Sequence, residues 1–266
     1  MSGNLVLSLF PGIGLLDRGF EDEGFCVVRG PDLLWGGDVK KFHPPPGRFD
    51  GVIGGPPCQC FSRLRFLVEH NGYDIAENLI PEFERVVDEA APEWFVMENV
   101  SAAPAPVVAG YVIRELVLNN RWCGGEQNRV RRFSFGTRDG RQLLPRVVAL
   151  EPLGWTPAVL ASGGGRERPV ALGGSGKPKR TGGKISKARD LGSKTKFYAA
   201  AAAAQGLDPS VVENLVAPHG PFTVAGVVKM VGNGVPYPLS RAVALAVREA
   251  MGLPAAPQTR QQGGNS

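Results

Sequence analysis

The chain has 266 residues, of which 43% are hydrophobic, so it is long enough for one large domain or for a large domain with a small companion. No run of about 18 apolar residues predicts a membrane-spanning helix, and the N-terminus lacks the basic and then apolar stretches of a signal peptide. Four cysteines are too few to predict a disulfide scaffold and indicate a reducing cytoplasm.

The positive charge of the chain is concentrated in one segment. The net charge is +5, but residues 163–196 hold ten Lys or Arg against two acids, a local charge of +8 that leaves −3 for the rest. The isoelectric point is near 9.2. This Gly-, Ser- and Lys-rich segment suits either a solvated linker or a loop that lies against phosphates, and we favour the loop.

Apolar runs and helical stretches alternate along the first half of the chain. Strands are predicted at 4–10, 25–28, 49–55 and 93–100, helices at 15–24 and 80–92, and two further elements at 110–120 and 131–137 near the edge of a sheet. This alternation is typical of a doubly wound α/β sheet. After Gly136 it stops, and helices return only at 196–207 and 240–252.

A glycine-rich turn, LFPGIG (9–14), follows the first predicted strand. Such a turn directs backbone N–H groups and the N-terminus of a helix at a ligand. Many α/β proteins have one, so a purely structural turn is an equal alternative. The third glycine of the dinucleotide-binding pattern is missing, because Leu15, Leu16 and Asp17 follow directly.

The stretch GGPPCQCFS (54–62) presents Cys58 directly after another predicted strand. The glycines permit backbone angles that other residues avoid and the prolines fix φ, so the segment is rigid. A thiolate is a strong nucleophile, which makes Cys58 the candidate catalytic residue. The alternatives are a structural turn with an inert cysteine, and a zinc site that uses Cys60, for which the three histidines of the chain make a poor ligand set.

Further polar groups are expected near this thiol. Glu98 and Asn99 end a later strand, and since parallel strands end on one side of a sheet, Glu98 can approach the thiol as a general acid. The ordinary alternative is a helix cap. Gln127, Arg129 and Arg131 alternate in sequence and are expected to face one side of a strand. For these three, a solvent-facing edge strand is the alternative.

Six stretches resemble, in order, the motifs of the cytosine-C5 DNA methyltransferases: LFPGIG, GDV (37–39), GGPPCQCFS, ENV (98–100), QNRVR (127–131) and GNGVPYPLSRAVA (232–244). The likeness covers residues 5–136 and about 196–250. Its Pro-Pro-Cys-Gln, Glu-Asn-Val and Gln-x-Arg-x-Arg elements are specific in combination. The family implies a doubly wound, Rossmann-like S-adenosylmethionine-dependent methyltransferase fold with a small irregular target-recognition domain.

The resemblance also implies a division into domains. Residues 1–136 would form the catalytic, cofactor-binding domain, completed by 226–254, whose last helix would pack on the N-terminal sheet. Residues 137–225 would form the small basic target-recognition domain, with DNA in the cleft between the two, and 255–266 a flexible tail. Residues 63–72 would form a loop that closes over a flipped base.

The mechanism that the resemblance implies uses the thiol directly. The Cys58 thiolate attacks carbon 6 of a flipped cytosine while Glu98, ordered by Asn99, donates a hydrogen bond or proton to N3. Carbon 5 then takes a methyl group from S-adenosylmethionine, which becomes S-adenosylhomocysteine. Arg131 would hold the cytosine O2, and Arg129 would support the active-site loop. The predicted catalytic set, without a metal, is Cys58, Gln59, Glu98, Asn99, Arg129 and Arg131.

The cofactor residues match the family less completely. Phe10 and the glycine-rich turn would contact the methionine part, and Asp38 would read the adenine amine. Hardly any helix separates Asp32 from Asp38, and Asp32 is displaced from the usual acidic position, although a carboxylate suits the ribose hydroxyls. The predicted cofactor residues are Phe10, Pro11, Gly12, Ile13, Gly14, Asp32, Asp38, Val39, Pro56, Asn233 and Val235.

Double-stranded DNA is the predicted partner. The predicted DNA contacts are Ser62, Arg63, Gln127, Lys177, Lys179, Arg180, Lys184 and Lys187. The last five are spaced among glycines, and such lysines and arginines follow a phosphate backbone without demanding one geometry. We expect a monomer without membrane contact, in a bacterial cytoplasm and a prophage or phage context. Restriction–modification, phage self-protection and regulation all suit such an enzyme.

Three rival functions fit part of the sequence. A transfer RNA substrate keeps the same chemistry, and the short recognition region permits it. A catalytically silent nucleic-acid-binding module is disfavoured by the intact Cys58, Glu98 and Arg131. A nicotinamide oxidoreductase fits the first turn but leaves the proline–cysteine stretch without a purpose.

Overall fold

A computed structural model describes residues 4–61, 77–147, 156–157, 191–216, 218 and 220–256, with the backbone alone for 156–157 and 191–197. The strands are β1 Leu5–Leu9, β2 Cys26–Arg29, β3 Gly51–Gly54, β4 Trp94–Asn99, β5 Val112–Asn119, β6 Gln127–Asn128, β7 Val130–Thr137 and β8 Thr156–Pro157. The helices are α1 Leu15–Asp22, α2 Ile80–Ala90, α3 Leu191–Ala204, α4 Ser210–Glu213, α5 Val224–Asn233 and α6 Tyr237–Met251. Single 3₁₀ turns span Leu33–Trp35, Val39–Lys41, Gln59–Phe61 and Asn120–Cys123.

The central sheet has six strands in the order β2-β1-β3-β4-β7-β5. The first four are parallel, β7 is antiparallel to β4, and β5 is antiparallel to β7. The chain leaves β1 toward β2 and returns to its other side as β3, so the strand order reverses there. In open α/β sheets, ligands bind beyond the carboxyl ends of the strands at such a switch point. The predicted doubly wound α/β class is confirmed.

The two faces of the sheet are covered by different helices. Successive residues of a strand point to opposite faces, and in β1 Val6 packs with the core under α1 and α6 while Leu7 packs with the core under α2. On the first face, α6 packs directly on α1. A Cβ at Gly19 would collide with Ser240 and with the backbone of Arg241. The last helix therefore returns to the N-terminal sheet as expected, whereas the domain boundaries stay a prediction.

A third hydrophobic cluster joins the helices that follow residue 190 to the start of α1. Leu15, at the N-terminus of α1, is buried among side chains of α3, α4 and α5, including Tyr198, Val212 and Val231. The helix α5 was not predicted. Its sequence signal is Thr223, whose Oγ1 accepts a hydrogen bond from the backbone N–H of Gly226 at 3.1 Å and so caps the helix.

Residues 126–132 do not form one strand with three polar side chains on one face, which corrects that expectation. β6 ends at Asn128 and β7 begins at Val130. Gln127 is fully buried, and its Nε2 donates to the backbone oxygen of Ala204 in α3 at 3.3 Å. Because no atom of this side chain reaches the surface, the predicted contact between Gln127 and DNA does not fit the structure.

Candidate active site

One cavity of about 1160 Å³ lies at the carboxyl ends of β1, β3 and β4. Ligand pockets usually have about 300–1,000 Å³, so this cavity has room for more than one small group. Every predicted catalytic residue except Asn99 lines it, and so does every predicted cofactor residue except Gly14. The topology thus collects side chains from both ends of the sequence at one place.

The thiol of Cys58 is half-buried in the wall of this cavity. The two prolines end β3 and the 3₁₀ turn Gln59–Phe61 follows, so Cys58 is held between two rigid pieces of backbone. Burial raises the pKa of the thiol above its ordinary value, and the negative charge of Glu98 raises it further, against the opposing charges of Arg131 and Arg129. In the free protein the thiol is therefore the dominant form at neutral pH.

Glu98, at the end of β4, is buried beside the thiol. Its Oε1 lies 2.8 Å from Nε of Arg131 on the neighbouring strand β7. Burial raises the pKa of Glu98, while the charges of Arg131 and Arg129 oppose that shift. A Cβ at position 55 would lie 3.0 Å from Glu98 Oε2, so Gly55 makes room for this carboxyl group. A buried carboxyl group with a raised pKa suits a proton donor.

Asn99 acts on the backbone of the proline–cysteine stretch. Its Nδ2 donates to the carbonyl oxygen of Pro56 at 3.1 Å, and its Oδ1 accepts from the N–H of Val100 at 2.8 Å. Asn99 therefore ties the end of β4 to the segment that carries Cys58. The predicted role of ordering Glu98 stays a prediction.

Arg129 connects the active site to the end of α5. Its Nη2 donates to the carbonyl oxygens of Gly232 at 2.8 Å and Gly234 at 3.2 Å. The side chain is buried, and burial together with the positive charge of Arg131 lowers the pKa of Arg129 to about 9. These bonds hold the backbone on both sides of Asn233, which lines the cavity. The sequence prediction placed Arg129 at the active-site loop and did not anticipate this contact.

The peptide of Gly12, in the glycine-rich turn, is held at both of its polar groups. Asp32 Oδ2 accepts from the N–H of Gly12 at 2.8 Å, and Trp35 Nε1 donates to the carbonyl oxygen of Gly12 at 2.7 Å. Gly12 has φ +56°, in the left-handed region that favours glycine. The edge-to-face contact of Trp35 with Phe222, at 5.5 Å between ring centroids, extends this support to the residues before α5.

The carboxylate of Asp32 also caps its own 3₁₀ turn, because Oδ1 accepts from the N–H of Leu34 at 2.7 Å. Each carboxylate oxygen has two lone pairs, so both oxygens can still accept a ribose hydroxyl, and that contact stays a prediction. Trp35 was missed by the sequence reasoning, which noted only the shortage of helix between Asp32 and Asp38. A single aromatic residue in that glycine-rich stretch was the available signal.

Several predicted residues lie outside the described part of the chain. The structure does not describe the loop predicted at 63–72, nor seven of the predicted DNA contacts: Ser62, Arg63, Lys177, Lys179, Arg180, Lys184 and Lys187. Within the described ranges, no group of three or more His, Cys, Asp or Glu side chains could hold a metal ion. No helix in those ranges is long and apolar enough to cross a membrane.

Comparison with known proteins identifies relatives of the chain. Residues 36–106 match the model of the C-5 cytosine-specific DNA methylase family. The chain is 31% identical over 147 residues to the Type II methyltransferase M.NgoPII of Neisseria gonorrhoeae, and this match covers 48% of this chain and 38% of that protein. It is 32% identical over 183 residues to the Type II methyltransferase M.AquIA of Picosynechococcus sp., and this match covers 51% of this chain and 73% of that protein.

A solved structure shares the fold. The Entamoeba histolytica methyltransferase EhMeth matches with a TM-score of 0.60 and 12% identity, over 94% of this chain and 99% of that one. The open sheet, its glycine-rich first turn and the cavity at its strand ends thus define a Rossmann-like methyltransferase fold. The chain belongs to the C-5 cytosine-specific DNA methylase family. It spans less than half the length of M.NgoPII.

Proposed function

We propose that the protein is a DNA (cytosine-5)-methyltransferase that transfers a methyl group from S-adenosylmethionine to carbon 5 of a cytosine flipped out of duplex DNA. The observation that carries the proposal is the Glu98–Arg131 ion pair, at 2.8 Å, in the same cavity wall as the Cys58 thiol. A nucleophile, a proton donor and a cation are the groups that this reaction needs on one face of the base.

The residues of the cavity fit S-adenosylmethionine. A Cβ at Gly12 would meet no atom within 4 Å, so a ligand can approach the backbone of the turn closely. The wall combines the apolar Phe10 with the carboxylates of Asp32 and Asp38, which suits a cationic ligand that also carries an adenosine group. Phe10 and the turn would hold the methionine part, Asp32 the ribose and Asp38 the adenine amine. When bound, S-adenosylmethionine supplies the methyl group.

The protein residues act on the base in sequence. The Cys58 thiolate forms a bond to carbon 6 while Glu98 donates its proton to N3, which makes carbon 5 nucleophilic. Arg131 orients Glu98 and donates to the cytosine O2. After carbon 5 is methylated, a base removes its original proton, N3 returns its proton to Glu98, the bond between sulfur and carbon 6 breaks, and the thiolate leaves. These atoms are inaccessible in stacked DNA, so the base is flipped out.

Methyl transfer from radiolabelled S-adenosylmethionine tests the proposal. Duplex DNA of mixed sequence and unmodified transfer RNA are offered separately to the full chain and to the Cys58→Ala variant. We expect label in the 5-methylcytosine of DNA, none in transfer RNA, and none with the variant. Bisulfite sequencing of DNA from cells that express the protein then gives the methylated sequence.

Other outcomes of this experiment separate the rival functions. Label in transfer RNA alone would replace the DNA substrate with RNA. DNA binding without any label would indicate a silent nucleic-acid-binding module. Size-exclusion chromatography of the protein with a labelled duplex gives the stoichiometry, for which we propose one monomer on one site.

A further inference from the structure

One arginine of α2 holds the segment that carries Asp38. Arg85 Nη2 donates to the carbonyl oxygens of Val39 at 2.8 Å and Phe42 at 3.1 Å, and its Nη1 also donates to Phe42 at 3.1 Å. These carbonyls stand at the two ends of the 3₁₀ turn Val39–Lys41. The planar guanidinium therefore fixes both ends of this turn at once.

The guanidinium is itself fixed by two carboxylates of its own helix. Arg85 Nε donates to Glu82 at 2.9 Å and Nη1 to Glu89 at 2.7 Å, at positions i−3 and i+4. His43 Nδ1 lies 3.0 Å from Glu89 on the outer side. Arginine has five N–H donors, and the five bonds to Val39, Phe42, Glu82 and Glu89 employ its three nitrogens in one geometry.

The turn needs this support because no strand carries it. Residues between β2 and β3 form only 3₁₀ turns, so no ladder of backbone hydrogen bonds holds Asp38 in place. Asp38 caps the turn through Oδ1, which accepts from the N–H of Lys40 at 3.0 Å. Its second oxygen is left for a ligand, and Asp38 lines the cavity. A shift of the turn would move this carboxylate directly.

We propose that Arg85 is the positioning residue for recognition of the adenine amine, because it holds the turn that presents Asp38 to the cavity. The inference rests on the proposed function, since Asp38 reads an amine only when an adenosine cofactor binds. Arg85 acts through Asp38 and does not line the cavity itself. It is therefore a determinant of cofactor specificity, at a position outside the six stretches that resemble the family's motifs.

A positioning role and a purely structural role predict different ligand dependence. If Arg85 only stabilises the fold, its loss lowers the affinity for every ligand of the cavity by a similar factor. If it positions Asp38, its loss removes only the part of the affinity that depends on the amine. S-adenosylhomocysteine and its 6-deamino analogue, in which purine replaces adenine, differ in that amine alone.

Calorimetric titration of both ligands tests the inference. A hydrogen bond to a charged group corresponds to a factor of about 10 to 100 in affinity, so we expect the wild-type protein to prefer S-adenosylhomocysteine by that factor. Arg85→Gln should reduce the preference to about 3-fold or less and leave the affinity for the analogue within about 2-fold. Arg85→Lys keeps the positive charge but lacks the planar guanidinium with its paired N–H donors, and should retain only part of the preference.

Arg146→Gln is the matched control. It removes an exposed pair in which Arg146 Nη2 lies 2.6 Å from Glu249, away from the cavity, and should leave both affinities unchanged. Asp38→Ala should reduce the preference for S-adenosylhomocysteine as much as Arg85→Gln does. The double variant should show no further reduction.

Four results would overturn the inference or its basis. If Arg85→Gln lowers the affinity for both ligands equally, Arg85 is a structural residue. If the variant keeps the preference for S-adenosylhomocysteine, Arg85 has no part in recognition of the amine. A wild-type protein that binds both ligands equally would show that Asp38 does not read the amine, which ends the inference while cofactor binding stands. If the wild-type protein binds neither ligand, the proposed function itself fails.

Discussion

Glu98 and Arg131 form an ion pair with 2.8 Å between Oε1 and Nε, and both side chains are largely buried. They meet because β4 and β7 are antiparallel neighbours, with Glu98 opposite Phe133 in the register. Arg131 is therefore two residues from the point opposite Glu98, on the same face of β7 as Phe133. The positive charge of Arg131 offsets part of the rise that burial causes in the pKa of Glu98.

The first prediction concerns the covalent bond to the base. DNA that carries 5-fluorocytosine at the target should trap the protein, because fluorine cannot leave as the proton at carbon 5 would. Cys58→Ala should give no adduct in a denaturing gel. Cys60→Ala is the control: this second thiol is buried within the 3₁₀ turn Gln59–Phe61 and should not be needed for trapping. Trapping that requires Cys60 and not Cys58 would refute the assignment.

The second prediction concerns the proton donor. Glu98→Gln keeps the shape of the side chain but cannot deliver a proton to N3, so turnover should fall by about 10²-fold or more, the usual contribution of an acid–base group. Affinity for duplex DNA, measured by fluorescence anisotropy, should change little. A variant that turns over at nearly the normal rate would remove Glu98 from the mechanism.

The third prediction concerns the pH dependence of the thiol. Burial and the charge of Glu98 raise the pKa of Cys58, while Arg131 lowers it. Only the thiolate reacts with iodoacetamide, so the alkylation rate of Cys58 rises with pH as the thiolate forms. Glu98→Gln removes a negative charge and should move this profile to lower pH, whereas Arg131→Met should move it to higher pH.

Mass spectrometry of the Cys58 peptide gives this rate without interference from the other cysteines. Arg146→Gln, whose charge lies outside the cavity, serves as the control and should leave the profile in place. Shifts of the same sign in the Glu98 and Arg131 variants would mean that a change in burial, and not charge, determines the titration.

The fourth prediction concerns the basic segment, which lies outside the described residues. Each lost phosphate contact should lower the slope of log affinity against log salt by roughly 0.9. Changing Lys177, Lys179 and Arg180 to alanine should therefore weaken binding to all duplexes by similar factors and flatten the salt dependence. The methylated sequence should not change. Unchanged affinity and slope would identify the segment as a linker.

The approach of the two candidate catalytic groups could be predicted because each stands at the carboxyl end of a strand. Cys58 and Glu98 stand at the ends of β3 and β4, which are parallel and adjacent, so their approach follows from topology alone. The packing of α6 on the N-terminal sheet was predicted because the resemblance to the family implies it. These inferences needed only strand order and motif order.

Contacts between distant side chains could not be predicted in the same way. Arg129 and Gly232 are far apart in sequence, and neither alternation nor composition indicates that they meet. Gln127 resembled a surface residue because it alternates with two arginines, yet α3 covers it. Its burial depends on how a helix from the second half of the chain docks, and the residues near Gln127 carry no signal of that docking.

The hydrogen bonds of Asp32 and Trp35 to Gly12 affect the thermodynamics of ligand binding. Glycine loses more conformational freedom on ordering than any other residue, and here that loss occurs when the chain folds, since protein groups already hold both the N–H and the carbonyl oxygen of Gly12. A ligand that reaches the turn meets a backbone that is already fixed in conformation. Its binding therefore bears little of the entropy of ordering that a loose glycine loop would impose, because Asp32 and Trp35 preorganise the turn.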